Sequence, residues 1–252
     1  MAVLQVKGVS KSFDSEKIIE NISLNLHEGE IVSLLGVSGG GKTTLFNIIA
    51  GLSVPDKGTV WLDGEEVTGQ PGNVSYMLQK DLLLPYRTIL DNVALPLMVR
   101  GMNKKEAREL ATPYFAEFGL EGTEKKYPMQ LSGGMKQRAA LLRTYLFSKK
   151  VALLDEPFSA LDMLTKQSIH EWYLDVMEKI HLSTIFITHD IDEAILLSDR
   201  IYLLIGKPGQ ITKEIVIDET KPRRKDFHLT EEFLKYKRTI LEHLSGDFTE
   251  SR

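Results

Sequence analysis

The sequence predicts an α/β fold, a mostly parallel sheet with helices, which carries an N-terminal antiparallel β subdomain and an inserted helical subdomain. Short apolar runs rich in Val, Ile and Leu alternate with longer amphipathic stretches, the pattern expected when helices cross over between parallel strands. The 252 residues are 42% apolar and 26% charged, which suits one large domain with a sizeable core. We therefore expect a single domain over residues 1–252.

Buried strands of the core are predicted where short apolar runs stand between turn signals. These strands are Ile31 to Leu35, Val151 to Leu154, Thr184 to Ile187 and Ile201 to Ile205. Helical periodicity predicts the intervening helices Lys42 to Ala50, Met163 to Ile180 and Ile191 to Leu197. The alternation of these strands and helices favours a parallel sheet.

Four other stretches of the chain depart from this alternation. Residues 1–30 and 58–76 show period-two patterning and turn signals such as Asp63-Gly64, which predict an antiparallel sheet beside the core. Residues 86–150 look mostly helical and interrupt the alternation of strands, so we expect them to form the inserted helical subdomain. Residues 218–252 are the predicted C-terminal tail, which follows a strand from Thr212 to Ile217 and contains a basic turn, Lys221 to Lys225, and a helix, Glu231 to Leu244.

Composition argues against several classes of protein. The 31 basic and 35 acidic residues give a net charge of −4, so the global basic field of a typical nucleic-acid binder is missing. Cysteine is absent, which excludes disulfides and a cysteine nucleophile and suits a reducing cytosol. No apolar run approaches the roughly 20 residues of a membrane helix, and the N-terminus does not resemble a signal peptide. We expect a chain that does not cross a bilayer, is not exported and does not bind nucleic acid.

A phosphate-binding loop is predicted at residues 36–43, where the spacing is Gly-x4-Gly-Lys-Thr between a strand and a helix. Backbone N–H groups curl around phosphates in this context, and the helix N-terminus favours negative charge. In that role Lys42 reaches the β and γ phosphates, Thr43 holds Mg2+ and Thr44 contacts the α phosphate. The predicted nucleotide-binding residues of the loop are Gly36, Ser38, Gly39, Gly40, Gly41, Lys42, Thr43 and Thr44.

A carboxylate pair, Asp155-Glu156, ends the predicted strand Val151 to Leu154. The carboxyl edge of an open α/β sheet is where ligands bind. Asp155 would join the Mg2+ shell, and Glu156 would orient and polarise the attacking water, since phosphoryl transfer depends on positioning and charge stabilisation. A strand end followed by a helix-capping acid is the alternative for an isolated Asp-Glu pair.

A second anion site is predicted at Ser132-Gly133-Gly134, which opens an amphipathic run from Met135 to Phe147. Serine before two glycines is a helix N-cap with exposed N–H groups. A plain cap is the alternative, but the position of this motif, between the phosphate loop and the carboxylate pair, favours a functional site.

These three motifs, in this order, resemble the nucleotide-binding subunit of ATP-binding cassette (ABC) transporters over essentially the whole chain. The resemblance implies a P-loop NTPase core and a head-to-tail homodimer, in which Ser132, Gly133 and Gly134 of one chain complete the γ-phosphate site of the other. It also implies roles for four further residues: Phe13 stacks on adenine, Gln79 senses Mg2+ and the transporter, Asp162 ends a dimer-crossing loop that starts at Ser159, and His189 contacts the γ phosphate.

The resemblance extends to one branch of the family. Met135 stands where many members carry glutamine, and the residues after Gln79 and around His189 are similar to those of nitrate, sulfonate and taurine importers. Similar subunits serve thiamine precursors. The chain would then hydrolyse MgATP at the cytoplasmic face of the cell membrane, bound peripherally to permease subunits and served indirectly by a substrate-binding protein.

Two rival functions remain open beside transport. A soluble ATPase of the same fold could work without a membrane partner, although the long coiled coil or second cassette of such relatives is missing. A small-molecule kinase would leave residues 132–135 and His189 unexplained. We expect the permease to contact the surface beside Gln79, from Asp81 to Val93. The alternative is that the apolar residues of this segment are buried within the helical subdomain. The basic turn would face anionic lipid or phosphate, or would be a solvated face.

Overall fold

The computed structural model describes residues 2–148, 150–159, 162–219, 223 and 226–246. Its strands are β1 (Ala2–Phe13), β2 (Glu16–His27), β3 (Ile31–Leu35), β4 (Lys57–Leu62), β5 (Glu65–Glu66), β6 (Ser75–Met77), β7 (Val151–Asp155), β8 (Ser183–Thr188), β9 (Arg200–Ile205) and β10 (Gln210–Val216). Its helices are α1 (Lys42–Ile49), α2 (Ile89–Val93), α3 (Leu95–Val99), α4 (Lys104–Ala111), α5 (Tyr114–Glu117), α6 (Gly133–Phe147), α7 (Met163–Ile180), α8 (Ile191–Leu197) and α9 (Glu231–Gly246). Among the described helices, none combines the length and the apolar character that a membrane span requires.

The chain divides into two compact units, residues 1–73 with 183–252 and residues 74–182. The first unit holds an antiparallel sheet in the order β2-β1-β4-β5 and the strands β10-β9-β3-β8. Strand β3 pairs in parallel with β8 and β9, and β10 pairs antiparallel with β9. Every residue of β3 and β8 is buried, as is usual for parallel strands, and the buried residues of β8 include Ser183, Thr184 and Thr188.

Helices α8 and α9 cover part of this first unit. Ala194 and Ile195 of α8 pack in one cluster with Leu35 and Leu203, and the C-terminal residues Phe227, Phe233 and Ile240 join the same cluster. Burying an aliphatic or aromatic side chain contributes about 1.5–3 kcal/mol. The C-terminal helix is therefore part of the core of this unit.

The second unit contains helices α2 to α7 and one pair of strands, β6 and β7, which run parallel with Tyr76 opposite Leu153. Helix α6 packs against α2, α3 and β6. Asp91 of α2 accepts two hydrogen bonds from Arg108 of α4, at 2.8 and 2.9 Å, and this guanidinium lowers the pKa of Asp91.

The predicted α/β class is confirmed, with two corrections to element bounds. Residues 75 and 76 were expected in the antiparallel sheet, but β6 pairs in parallel with β7; so short a strand does not show a period. The predicted helix start at Ser132-Gly133-Gly134 is confirmed, since α6 begins at Gly133 with Ser132 as its cap. The strand expected at 212–217 is Gln210–Val216. The bounds of the helical subdomain, 86–150, stay a prediction.

Candidate functional site

The loop after β3 is organised around Lys42, the first residue of α1. The Lys42 Nζ atom donates hydrogen bonds to the carbonyl oxygens of Gly36 and Val37, both at 2.8 Å, and its side chain is buried. Ser38, Gly39 and Thr43 are exposed, whereas Gly40 is buried. The amine therefore lies inside a loop whose outer face is open to a ligand.

Two glycines of the loop adopt backbone angles that other residues rarely adopt. Gly39 has φ 81° and Gly41, the N-cap of α1, has φ 86°. A Cβ atom on Gly36 would lie 2.1 Å from the Leu204 carbonyl oxygen, and one on Gly41 would lie 2.4 Å from Ile19 Cγ2. Glycine is needed at these points because the chain turns left-handed or passes close to a neighbouring strand.

Polyphosphate suits this loop on chemical grounds. The first turn of α1 contains no acidic residue, so no carboxylate of that turn offsets the positive end of the helix dipole. Thr43 and Thr44 place hydroxyl groups in the same turn. The loop thus offers an amine, hydroxyl groups and backbone donors, which together fit the phosphates of ATP.

His189 is exposed and follows the last residue of buried strand β8. On one side of it, the Thr188 hydroxyl donates to Glu193 Oε2 at 2.7 Å and accepts from the Asp190 N–H at 3.0 Å. On the other side, the Asp190 carboxylate accepts from the N–H groups of Asp192 and Glu193, at 3.0 and 3.2 Å. The histidine is therefore held between two residues that hydrogen bond to the first turn of α8.

Phe13 ends β1 and is 50% exposed. The Lys11 Nζ atom lies 5.3 Å from the centre of the Phe13 ring, a cation–π distance. Lys11 also pairs with Asp56 at 3.0 Å. An exposed aromatic ring at this place can accept a flat base by stacking.

The carboxylate pair lies in the second unit, where neighbouring polar side chains contact it. Asp155 is buried, and its Oδ2 atom accepts from the Tyr76 hydroxyl at 3.5 Å. Burial and the Asp155 charge raise the pKa of Tyr76, so Tyr76 stays a donor. Glu156 is only partly buried, and its Oε2 atom accepts from the Gln79 amide at 3.1 Å. The structure therefore brings Gln79 and Glu156 together, as both roles require.

Glu156 has φ 46°, a left-handed conformation that costs a non-glycine residue roughly 1–2 kcal/mol. The Glu156 carbonyl accepts from Ser159 Oγ at 3.0 Å. Backbone strain of this kind persists where surrounding contacts fix the conformation, and it is common at functional sites. Directly after the fully buried strand β7, Glu156 is only partly buried.

Ser132 caps helix α6, and its hydroxyl accepts from the Met135 N–H at 3.3 Å. Ser132 and Gly133 are exposed, whereas Gly134 is buried, where a Cβ atom would lie 3.4 Å from Thr165 Cγ2. Asp162 caps α7 by accepting from the Thr165 N–H at 3.1 Å. Ala160 and Leu161, which precede Asp162 in the expected dimer-crossing loop, lie outside the described residues.

Sequence reasoning missed several residues beside the site. Tyr76 could have been noticed as the one polar ring in a strand that ends just before Gln79. Thr188 ends the strand before His189, and Asp190 with Glu193 three residues later has the spacing of an N-cap and its capping glutamate. Lys11 lies two residues before Phe13 on the same strand, so the two side chains share a face, and this spacing was a signal for the contact.

Comparisons with known proteins identify relatives that match most of the chain. The family model described as ABC transporter matches residues 19–159. The chain is 48% identical over 207 residues to a formylaminopyrimidine import ATP-binding protein of Halalkalibacterium halodurans, covering 82% of this chain and 81% of that protein. It is 39% identical over 238 residues to a nitrate import ATP-binding protein of Synechocystis sp., covering 92% and 90%.

The fold also matches a solved structure, a dimeric ATP-binding cassette in a post-hydrolysis state bound to ADP and Pi. That likeness has a TM-score of 0.71 at 30% sequence identity, and it covers 86% of this chain and 100% of that one.

Proposed function

Since this chain belongs to the ABC transporter family, as an ATP-binding and ATP-hydrolysing subunit, we propose that it powers the import of a small nutrient across the cell membrane. The observation that carries the proposal is the order of three sites in one chain: the Lys42 loop, the Ser132 cap and the Asp155-Glu156 pair.

The loop binds the nucleotide. Lys42 contacts the β and γ phosphates, Thr44 contacts the α phosphate, and the N–H groups of residues 36–43 surround the phosphates. Phe13 stacks on the adenine. The exposure of Thr43 and the Lys42 hydrogen bonds inside the loop support this assignment.

Thr43, Asp155 and Gln79 are the residues that would supply oxygen ligands to a Mg2+ ion bound with the nucleotide. These are the hard ligands that Mg2+ prefers, usually only one or two from protein while water and phosphate supply the rest. When bound, the ion neutralises charge that develops on the phosphate oxygens.

Hydrolysis depends on Glu156 and His189. Glu156 accepts a proton from the attacking water and orients it, and the Gln79 amide, 3.1 Å from the Glu156 carboxylate, keeps that carboxylate in place. His189 donates to the γ phosphate. Exposure of the His189 ring next to a rigid strand end supports this role.

Two copies of the chain form the working unit, head to tail. Ser132, Gly133, Gly134 and Asp162 then serve the nucleotide held by the partner. Support comes from the exposed Ser132 cap, whose helix end favours an anion, and from the dimeric solved cassettes to which the chain is similar.

The permease binds at the cytoplasmic face of the membrane, on the segment from Asp81 to Val93 that follows Gln79. Tyr86 is 73% exposed and Leu82 is 52% exposed, whereas Leu83 is buried and packs locally. Arg143 fixes the segment by donating to the carbonyl oxygens of Leu82, at 2.8 Å, and Asp81. A rigid segment with two exposed apolar side chains suits a protein contact.

Two cargo classes follow from the relatives. Nitrate and aliphatic sulfonate import proteins at 39% and 37% identity favour a small oxyanion, while the formylaminopyrimidine relative at 48% favours a thiamine precursor. The test is ATPase stimulation in the reconstituted transporter by a binding protein loaded with nitrate, an alkanesulfonate or a formylaminopyrimidine. Stimulation by none of them would exclude both cargo classes.

The ATPase mechanism is tested by Glu156→Gln, which keeps the shape of the side chain but removes the base. We expect phosphate release to fall about 100-fold or more and an ATP-dependent dimer to accumulate, seen as a doubled mass by light scattering. Glu109→Gln, at an exposed position of α4, is the control and should hydrolyse ATP normally. Normal turnover by Glu156→Gln would remove Glu156 as the base.

A further inference from the structure

The C-terminal residues Arg223 and Lys237 both contact α8, the helix that starts two residues after His189. Arg223 is described although its neighbours at 220–222, 224 and 225 are not, and it belongs to the basic turn expected from the sequence. Its guanidinium does not lie on a solvated face. Nη1 donates to the Ile195 carbonyl at 2.8 Å and to the Leu196 carbonyl, and Nη2 donates to the Ser198 carbonyl.

These carbonyls form the C-terminal end of α8, where a cation is favoured by unpaired oxygens and by the helix dipole. Burial lowers the pKa of Arg223 to about 10, which leaves the group charged at neutral pH. The guanidinium also lies 5.7 Å from the centre of the Phe227 ring. Arg223 thus joins one end of α8 to the C-terminal segment through charge-assisted hydrogen bonds, the stronger kind.

The other end of α8 is held by Lys237 from α9. Its Nζ atom lies 2.7 and 3.0 Å from the two carboxylate oxygens of Asp192. Both side chains are partly exposed, 37% and 48%, so this pair is the weaker contact. Between the two ends, Ala194 and Ile195 pack against Phe227 and Phe233.

A shift of α8 would move His189, because the residues on both sides of this histidine are hydrogen bonded to the helix. The Thr188 hydroxyl bonds to Glu193 and the Asp190 carboxylate bonds to two N–H groups of the first turn, so the residues on both sides of His189 follow the helix. Glu193 is 4% exposed, and a buried hydrogen bond of this kind is costly to break.

We propose that Arg223 and Lys237, here called the C-terminal brace, are positioning residues for ATP hydrolysis, which hold α8 so that His189 faces the γ phosphate. This inference rests on the proposed role of His189. The brace does not touch the nucleotide, so its loss should lower kcat and leave the KM for ATP within about twofold.

The test compares Arg223→Met and Arg223→Lys with Lys237→Met, for kcat, KM and thermal unfolding midpoint. Networks of this kind change coupling by about 0.5–2 kcal/mol, so we expect Arg223→Met to lower kcat roughly 2- to 30-fold. Arg223→Lys should keep more of the wild-type kcat than Arg223→Met, because lysine keeps the positive charge but lacks the planar, two-pronged set of donors of the guanidinium group. Lys237→Met, at a surface pair, should fold normally and lower kcat less. Arg238→Met and Lys235→Met, at exposed positions of α9, are matched controls and should match wild type.

A second readout separates positioning from simple stability. The chain has six histidines, so a carbon–proton NMR spectrum of the rings has few cross-peaks, and His189→Ala identifies the one from His189. A shifted His189 cross-peak in Lys237→Met and Arg223→Met, with reduced kcat, supports the brace. Reduced kcat with an unmoved His189 cross-peak, or unchanged kcat in folded variants, overturns it while leaving the role of His189 intact. Full activity of His189→Ala would overturn both proposals.

Discussion

Two regions of the molecule turn the backbone sharply after a buried strand, and they do so with different residues. One is the loop at residues 36–44 in the first unit, and the other is the strand end at Asp155-Glu156 in the second unit. The loop does so with glycine, at φ 81° for Gly39 and 86° for Gly41, which suits the proposed contact of phosphates with backbone N–H groups. At the strand end Glu156 itself adopts φ 46°, and there the proposed functional group is the side chain.

The two regions differ in the origin of the unfavourable free energy that their backbone conformations add to folding. A glycine loop loses conformational entropy when it folds, whereas Glu156 carries backbone strain in the folded state. The side chains around Glu156 hold it: Ser159 Oγ donates to its carbonyl at 3.0 Å and Gln79 donates to its carboxylate at 3.1 Å. Replacing Gly39 or Gly41 by alanine should therefore lower the free energy of unfolding, whereas placing glycine rather than alanine at position 156 should raise it.

The largest expected effect tests whether the loop of one chain and the Ser132 cap of its partner together form one nucleotide site. Lys42→Ala and Ser132→Arg chains should each be almost inactive, since one lacks the phosphate amine and the other blocks the cap. Their mixture should regain roughly a quarter of wild-type ATPase activity, because about half of randomly formed dimers are mixed and each holds one intact site. Phosphate release measures the recovery.

The control mixes Lys42→Ala chains with chains carrying both substitutions, which leaves no intact loop and should give no activity. A mixture of the two single variants that forms heterodimers, shown by differently tagged chains, but regains nothing would contradict the trans arrangement.

A smaller effect is expected within the loop itself. Gly41→Ala and Gly39→Ala both force a Cβ atom into a left-handed conformation, which costs roughly 1–2 kcal/mol. Only at Gly41 does that atom clash, 2.4 Å from Ile19 Cγ2 and 3.1 Å from the Ile18 carbonyl, whereas Gly39 has no atom within 4 Å. Overpacking adds about 1–3 kcal/mol. Gly41→Ala should therefore show the lower free energy of unfolding and the weaker ATP binding, measured by urea denaturation and nucleotide titration. Equal losses in the two variants would show that Ile19 moves aside without cost.

The two regions also differ in what their sequences reveal. The loop could be predicted from spacing alone, since glycine, lysine and threonine at fixed positions report backbone geometry directly. The antiparallel pairing expected for residues 75 and 76 was wrong because so short a strand shows no period and its partner, β7, lies more than seventy residues later in the chain. The Tyr76 contact with Asp155 and the Arg223 contact with α8 were beyond prediction for the same reason, because they depend on packing between distant segments. The positive φ of Glu156 has no sequence signal at all, since the residue is neither glycine nor asparagine.

The smallest effect tests the strain at Glu156. Glu156→Ala and Glu156→Gly both remove the carboxylate and should abolish hydrolysis equally, so any difference between them reports only the Cβ atom. Alanine keeps the left-handed strain of roughly 1–2 kcal/mol, whereas glycine relieves it and gives back about 0.4–1 kcal/mol through the entropy of the unfolded chain. The glycine variant should therefore have the higher free energy of unfolding, by about 0.5–1 kcal/mol, which raises the unfolding midpoint by about 1–4 °C in a chain of this size. Calorimetry of the two variants without nucleotide measures this difference. An alanine variant at least as stable as the glycine variant would mean that the turn at residue 156 is unstrained, and the contrast between the two units would then lie in side-chain chemistry alone.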